Sequence, residues 1–428
     1  MSFSPVEASK SISEKYFRYL NTAFNIGAPY SKEFRQLVNK NSSLAKGPYL
    51  DVTDTFKSGK SIDDLIKEGL LPRSFLKINM NMTRPLYLHQ ELALRKIVCE
   101  KRNLVVSTGT GSGKTESFLI PVLQEIVDEY ERGTLTPGVR ALLIYPMNAL
   151  ANDQMERLRE ILKNFSEITF GVYTGQTPHK HDKALAEYKK LNDNVNPLSN
   201  ELISREEMIA SPPHIFITNY AMLEYLMVRP NENVFFEGEY ANHWKFIVFD
   251  EAHVYSGSTG IEVSMLFRRL KAKLQSDDIR YILTSATLGE KEDDDKVARF
   301  ASNLCNADFY AEDVIRAHRV TLTPEAKIKT LTATFYENLA NKLDEESDEE
   351  KIKNLFQLSH KISLSESLYD MVIADENYWK IKKLLSTPQT VSYLAQNMAW
   401  TEKQIASFVT VASHCEKNGI KLFDARYH

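Results

Sequence analysis

The sequence predicts an α/β protein: a parallel sheet with helices on both faces, flanked in the chain by helical regions. Three observations lead there. Between residue 86 and about 290, short apolar runs alternate with stretches of helical periodicity, and they fall at Leu104 to Val106, Ala141 to Tyr145, Ile215 to Thr218, Phe246 to Phe249 and Tyr281 to Thr284. Such alternation is what a parallel sheet covered on both faces requires. Four of these five runs end in a polar or proline-containing loop, as expected when ligands sit at the carboxyl edge of the sheet. After 290 the style changes: Gly419 is the only glycine in the remainder, and the pattern is helical almost throughout.

The chain has 428 residues, which suits two or three domains. With 43% hydrophobic and 26% charged residues it has the composition of an ordinary globular protein. No run of eighteen apolar residues occurs, and the start MSFSPVEASK lacks the apolar core of a signal peptide, so a soluble, cytoplasmic protein with no membrane partner is expected. Cys99, Cys305 and Cys415 are far apart and form no CxxC pair, which points away from a disulfide framework or a zinc cluster. A net charge of −4 argues against a general basic coat. Any grip on nucleic acid has to be local, through amides, hydroxyls and a few placed cations.

In chain order, residues 1–85 are mixed and polar with helical patches such as Ile62-Asp63-Asp64-Leu65-Ile66, and read as an N-terminal helical accessory region. The α/β domain is expected over 86–320, and a further helical region over 321–428. Within the α/β domain, 176–212 reads as a long polar insertion, functional or mobile. The acidic runs Glu292 to Asp295 and Asp344 to Glu350 read as solvated loops.

Chemistry begins at 104–123, LVVSTGTGSGKTESFLIPVL. Leu104, Val105 and Val106 form a strand, while Phe118, Leu119, Val122 and Leu123 recur at helical spacing, so the segment reads strand, loop, helix. Glycines at a helix N-terminus let the backbone fold around an anion that the free amides and the helix dipole favour. Thr108, Gly109, Thr110, Gly111, Ser112 and Gly113 would form that phosphate cradle, with Glu116 in the first helical turn counted among the nucleotide-binding set. Lys114 would reach the β/γ-phosphates of ATP, and the Thr115 hydroxyl would hold Mg²⁺. Thr108 stands where the strict pattern has glycine.

The second stretch is FIVFDEAHVYSG, 246–257. An apolar strand delivers Asp250 and Glu251 to the sheet edge, where buried charge is costly unless a cation or a reaction uses it. Asp250 would complete the Mg²⁺ shell, Glu251 would orient and deprotonate the attacking water, and His253 would link them to neighbouring polar groups. The third stretch, YILTSATLG at 281–289, ends a strand in Ser285, Ala286 and Thr287, which read beside the first two as the element coupling hydrolysis to movement.

In order and spacing, Gln90, Lys114-Thr115, Pro146, Thr218, Asp250 to His253 and Ser285 to Thr287 resemble the superfamily-two DEAD/DEAH-box helicases over about 80–290. The resemblance implies a RecA-like lobe. It implies that Gln90 of LYLHQ reads the adenine, with Tyr87 beside it. It also implies backbone contacts to nucleic acid from Pro146, Asn148 and Gln154 in YPMNALANDQ, from Thr174 and Gly175 in YTGQ, and from Thr218 and Asn219 in ITNYAMLEY. Loops of this kind use amides and hydroxyls, which fits the modest charge. The strings SREEM, ITNYAMLEYLMVRP and DEAHVYSGSTGIEVSMLFRRL are similar to the bacterial MrfA/YprA-type DNA helicases and to related helicase subunits of phage-defence systems, which implies DNA translocation driven by ATP and Mg²⁺.

Helicases of this kind need a second RecA-like lobe whose arginine stabilises the transferring phosphate, a contribution on the order of 10³ or more in rate. The stretch after Thr287 has no Q-x-x-G-R-x-G-R-like run, so the sequence reads as half a motor whose second lobe lies elsewhere, in a longer chain or in a split subunit. The alternative reading is a nucleotide- and DNA-binding scaffold subunit of a multi-protein defence or repair complex, with little turnover of its own. Within 390–409, Val391, Leu394, Ala395 and Met398 share one helical face and Thr401 with Gln404 has capping-box spacing. Lacking a basic second helix, it reads as a structural helical hairpin rather than a DNA reader. Arg268, Arg269, Lys271 and Lys273 read as a DNA-facing stripe or a solvated face, His179 and His181 as lacking a metal partner, and Tyr378 and Trp379 as core.

Overall fold

The computed structural model describes residues 5–23, 27, 30–40, 47–109, 111–274, 278–286, 288–323, 329–346 and 348–427. The chain divides into two units, 57–318 and 1–56 together with 319–428. The expected division at 85 is thereby corrected. Residues 57–85 belong to the α/β unit, where the strand Ser58–Ser61 pairs with Pro85–Tyr87 and Ile62, Leu65 and Phe75 enter its core.

Eight parallel strands form the sheet of the first unit, in the spatial order 314–316, 104–107, 280–285, 246–249, 141–144, 215–218, 170–172, 201–202. All five strands expected from sequence are present. Leu104–Ser107, Ala141–Ile144, Ile215–Thr218 and Phe246–Phe249 are buried at every position, because helices cover both faces. Their side chains alternate between two cores. Val106, Leu143, Val248 and Ile282 pack with Phe118, Leu123 and Leu158, whereas Val105, Leu142, Ile247 and Leu283 pack with Val263, Phe267 and Leu270. Each fully buried aliphatic side chain contributes about 1.5–3 kcal/mol.

Three strands were not legible in the sequence. Phe170–Val172 is short and broken by Gly171, Glu201–Leu202 has two residues, and Val314–Arg316 lies beyond the expected alternation. The insertion 176–212 is built rather than open, with helices His181–Leu191 and Arg205–Ala210 around that short strand. Ser204 and Glu207 make a reciprocal capping box, a signal that the string SREE already carried. The acidic runs are mostly helix ends: 294–295 begin the helix Asp294–Cys305, while 344–345 end Ala333–Glu345 and 349–350 begin Glu349–Phe356. Acidic side chains favour helix N-termini, where they oppose the positive end of the dipole.

In the second unit, Tyr49–Thr53 lies antiparallel between Gln389–Thr390 and Asp424–Tyr427, so the two chain segments share one small sheet. Its core gathers Leu50, Tyr336, Leu368, Tyr378, Ile381, Phe408 and Phe423, with Trp379 packed against it. The fully buried Asp375 accepts from Tyr336 Oη at 2.6 Å and from the Leu331 amide at 3.0 Å, which satisfies a carboxylate that burial otherwise penalises. Helices Val391–Met398 and Glu402–His414 form the expected hairpin, with Ala399 left-handed between them and Thr401 capping the second. Ile405, Phe408, Val411 and Ala412 of that second helix are core residues.

Candidate nucleotide site

Three adjacent strands, 104–107, 280–285 and 246–249, deliver the phosphate loop, the Ser285 motif and the Asp250-Glu251 pair to one edge of the sheet. The loop turns into the helix Lys114–Glu131 through Gly113 in a left-handed conformation, φ 69° and ψ 41°. Only glycine adopts this freely, and a Cβ there would also collide with Gln90 Nε2. Thr108 and Ser112 share a hydroxyl–hydroxyl bond of 2.6 Å, and the Thr108 amide donates to Ser285 O at 3.0 Å. The phosphate loop is thereby fastened to the neighbouring motif through its own backbone.

Gln90 accepts from the Tyr87 amide at 2.8 Å and donates to Gly113 O at 2.9 Å. Its amide therefore braces the phosphate loop, a task beyond the expected adenine contact. His89, which the sequence reading passed over, donates from Nε2 to Ser112 O at 2.9 Å. Burial lowers its pKa, keeping a neutral ring under the loop. Glu116 pairs with Arg157 of the helix Asn148–Leu162, a partner that no spacing rule revealed. Tyr87, Gln90, Gly111, Gly113, Glu116 and Arg157 line a pocket of about 410 Å³, within the range of small-molecule sites.

Lys114 Nζ lies 3.0 Å from Glu251 Oε1, and Glu251 Oε2 lies 3.3 Å from His253 Nδ1. His253 Nδ1 is in turn 3.1 Å from Ser285 Oγ, so close contacts between polar atoms, with no hydrogen bond at the Glu251–His253 step, lead from the phosphate-loop lysine to the Ser285 motif. Glu251 sits at φ 52° and ψ 50°. A non-glycine residue held there costs about 1–3 kcal/mol, strain that is commonly kept at functional sites. Asp250 accepts from the Thr284 hydroxyl. Burial raises its pKa, opposed by that hydrogen bond and reinforced by the charge of Glu251. Asp250 and Glu251 are part-buried, Lys114 lies against Glu251, and Thr115 follows it in the first turn of the adjoining helix; carboxylate and hydroxyl oxygens are the donors a hard cation such as Mg²⁺ takes. Thr110 and Thr287 lie outside the described residues; Ala286 follows Ser285 at the strand end.

Apart from Gln154, which lies within the helix Asn148–Leu162, the residues expected to touch nucleic acid lie at or just beyond the ends of the next three strands, 141–144, 215–218 and 170–172. Asn219 caps the helix Tyr220–Val228 and donates to Asn148 Oδ1 at 3.1 Å, joining two of these loops. Pro146, Asn148 and Asn219 are partly exposed and Gly175 is exposed. Gln154, Thr174 and Thr218 are buried. The Thr218 hydroxyl donates to Tyr173 O at 2.6 Å, so it holds the loop rather than reaching out of it. Arg205, from the insertion, donates to Thr174 O at 3.0 Å and Thr177 O at 2.9 Å. Arg269 pairs with Glu224 and Lys273 with Glu237, His181 pairs with Glu207, and His179 lies beside Arg205.

A parallel α/β sheet with a glycine-rich cradle and paired carboxylates at neighbouring strand ends is a RecA-like P-loop lobe. Residues 87–295 match the family described as DEAD/DEAH box helicase, and the chain carries a helicase domain of that family. It is 31% identical to the Druantia protein DruE of Escherichia coli over 75% of this chain and 22% of that protein. To the ATP-dependent helicase YprA of Bacillus subtilis it is 30% identical, over 55% of this chain and 26% of that protein. The chain thus spans about a quarter of the length of these relatives. A solved structure of the DUF1998 helicase MrfA bound to DNA is 26% identical, with a TM-score of 0.44, over 63% of this chain and 30% of that one. Among the described residues, no helix is long and apolar enough to cross a membrane.

Proposed function

We propose that this chain is the ATP-binding part of a DNA helicase or translocase, acting with a second RecA-like lobe in cis or in a partner chain. The observation that carries the reading is the chain Lys114–Glu251–His253–Ser285, which joins three motifs on adjacent strands. Mg²⁺-bound ATP supplies the phosphoanhydride whose cleavage drives movement. Lys114 would exchange Glu251 for the phosphates, freeing the Glu251 carboxylate to take the proton of an attacking water, while Thr115 and Asp250 would hold the metal. His253 then passes the altered position of Glu251 to Ser285. The loops at 146–148, 175 and 219 form the DNA path, and an arginine from the second lobe completes the phosphate contacts.

DNA and a place in phage defence are favoured by the similarity of the strings SREEM, ITNYAMLEYLMVRP and DEAHVYSGSTGIEVSMLFRRL to MrfA/YprA-type DNA helicases and to helicase subunits of phage-defence systems. A scaffold that binds nucleotide without turning it over is the second reading, and the intact Lys114, Asp250 and Glu251 weigh against it. The test is ATP hydrolysis by the chain, with and without single-stranded DNA and with and without the second lobe supplied separately. We expect binding with slow turnover alone and a marked rise with the second lobe, abolished in Glu251→Gln while nucleotide binding persists. Normal turnover by Glu251→Gln would remove the base assignment.

A further inference from the structure

Arg316 ends the edge strand Val314–Arg316 and lies in register with Ser107, the last residue of the phosphate-loop strand. Its guanidinium faces the segment directly behind the Ser285-Ala286-Thr287 motif. Nη1 donates to Gly289 O at 2.8 Å, and Nη2 to Leu288 O at 3.2 Å and Glu290 O at 2.6 Å. Nε donates to Asp294 Oδ1 at 2.7 Å, and Nη1 also reaches the Ser107 hydroxyl at 3.4 Å. That hydroxyl in turn donates to Leu288 O at 3.4 Å. Three consecutive carbonyls converge on one cation here because Gly289 takes φ +60°, and a Cβ at that position would lie 2.9 Å from the Asp293 Cβ.

The coupling motif is therefore gripped from two sides. On one, Ser285 receives the chain from Lys114 through Glu251 and His253. On the other, 288–290 are tied to the end of the strand that leads into the phosphate loop. We propose that Arg316 is a positioning residue for coupling: it anchors 288–290 so that a shift of Ser285 on nucleotide binding is transmitted along the motif instead of being absorbed by slack behind it. This inference rests on the nucleotide site proposed above. The fork is needed because a guanidinium spreads five N–H donors over a rigid plane, whereas a lysine ammonium offers three from a single point.

The test is hydrogen exchange read by mass spectrometry on the whole chain, with and without Mg²⁺ and a non-hydrolysable ATP analogue. The unsubstituted chain should show protection over 108–115 and an altered rate over 286–293. Arg316→Ala should keep the protection over 108–115, with nucleotide affinity within about threefold, and lose the nucleotide-dependent change over 286–293. If Arg316→Ala fails to fold, Arg316→Lys carries the test; it keeps the charge and stem but not the fork, and should likewise bind nucleotide without the 286–293 response. An unchanged 286–293 response in the folded variant, beside normal protection of 108–115, overturns the clamp alone. Absence of protection over 108–115 in the unsubstituted chain overturns the nucleotide-site reading, and this inference with it.

Discussion

At the scale of single residues, the proposed chemistry turns on a lysine and a glutamate that hold each other in this structure and that a bound phosphate would separate. Lys114 lies 3.0 Å from Glu251, and Glu251 occupies a left-handed backbone conformation that only its surroundings can maintain. The positions of Lys114, Asp250 and Glu251 at strand and helix ends were legible because motif spacing marks them. The braces of the surrounding loops were not, because His89, Arg157, Arg205 and Arg316 act through contacts made far along the chain. Arg205 makes the point testable. Its guanidinium is buried against the carbonyls of Thr174 and Thr177, so Arg205→Ala should free that loop. We expect single-stranded DNA affinity, followed by fluorescence anisotropy, to fall about tenfold, equivalent to about 1.4 kcal/mol, with nucleotide affinity unchanged. Parallel loss of both affinities would instead mark Arg205 as a general stabiliser.

At the scale of elements, apolar strands flanked by chemically active loops announced themselves, and strands of two or three residues did not. Periodicity needs length, and Glu201–Leu202 offers none. The loop before Ile215–Thr218 carries a stability switch as well. His214 Nδ1 accepts from the Thr169 amide at 3.0 Å and Nε2 donates to Thr136 O at 3.1 Å. Burial, and then the nearby Arg140 guanidinium, lower its pKa to about 3. The folded state therefore binds this proton more weakly than the unfolded chain, whose imidazole titrates near 6.5. The stabilisation is complete above about pH 6.5 and is lost as pH falls toward 3, at about 1.4 kcal/mol per pH unit. In urea unfolding between pH 4 and 6, His214→Asn should flatten the pH dependence by about that slope. An unaltered slope would place the titration elsewhere.

At the scale of the whole molecule, the continuous segment 57–318 contains the eight-stranded sheet and both of its cores, whereas the other unit is assembled from two separated segments. The sequence suggested a helical N-terminal region because its strand Tyr49–Thr53 acquires partners only from 389–390 and 424–427, a pairing that no local pattern encodes. Expressed alone, 57–318 should therefore unfold in one cooperative transition by circular dichroism and retain nucleotide binding; a molten, non-cooperative melt would show that its cores need the rest of the chain. The central claim, that the edge formed by strands 104–107, 280–285 and 246–249 is a Mg²⁺–ATP site, is tested most directly by titrating the chain with a fluorescent ATP analogue in the presence and absence of Mg²⁺, beside Lys114→Ala. Saturable, Mg²⁺-strengthened binding that ATP displaces and Lys114→Ala abolishes is the predicted result. Binding that survives Lys114→Ala unchanged, or no saturable binding at all, would contradict it.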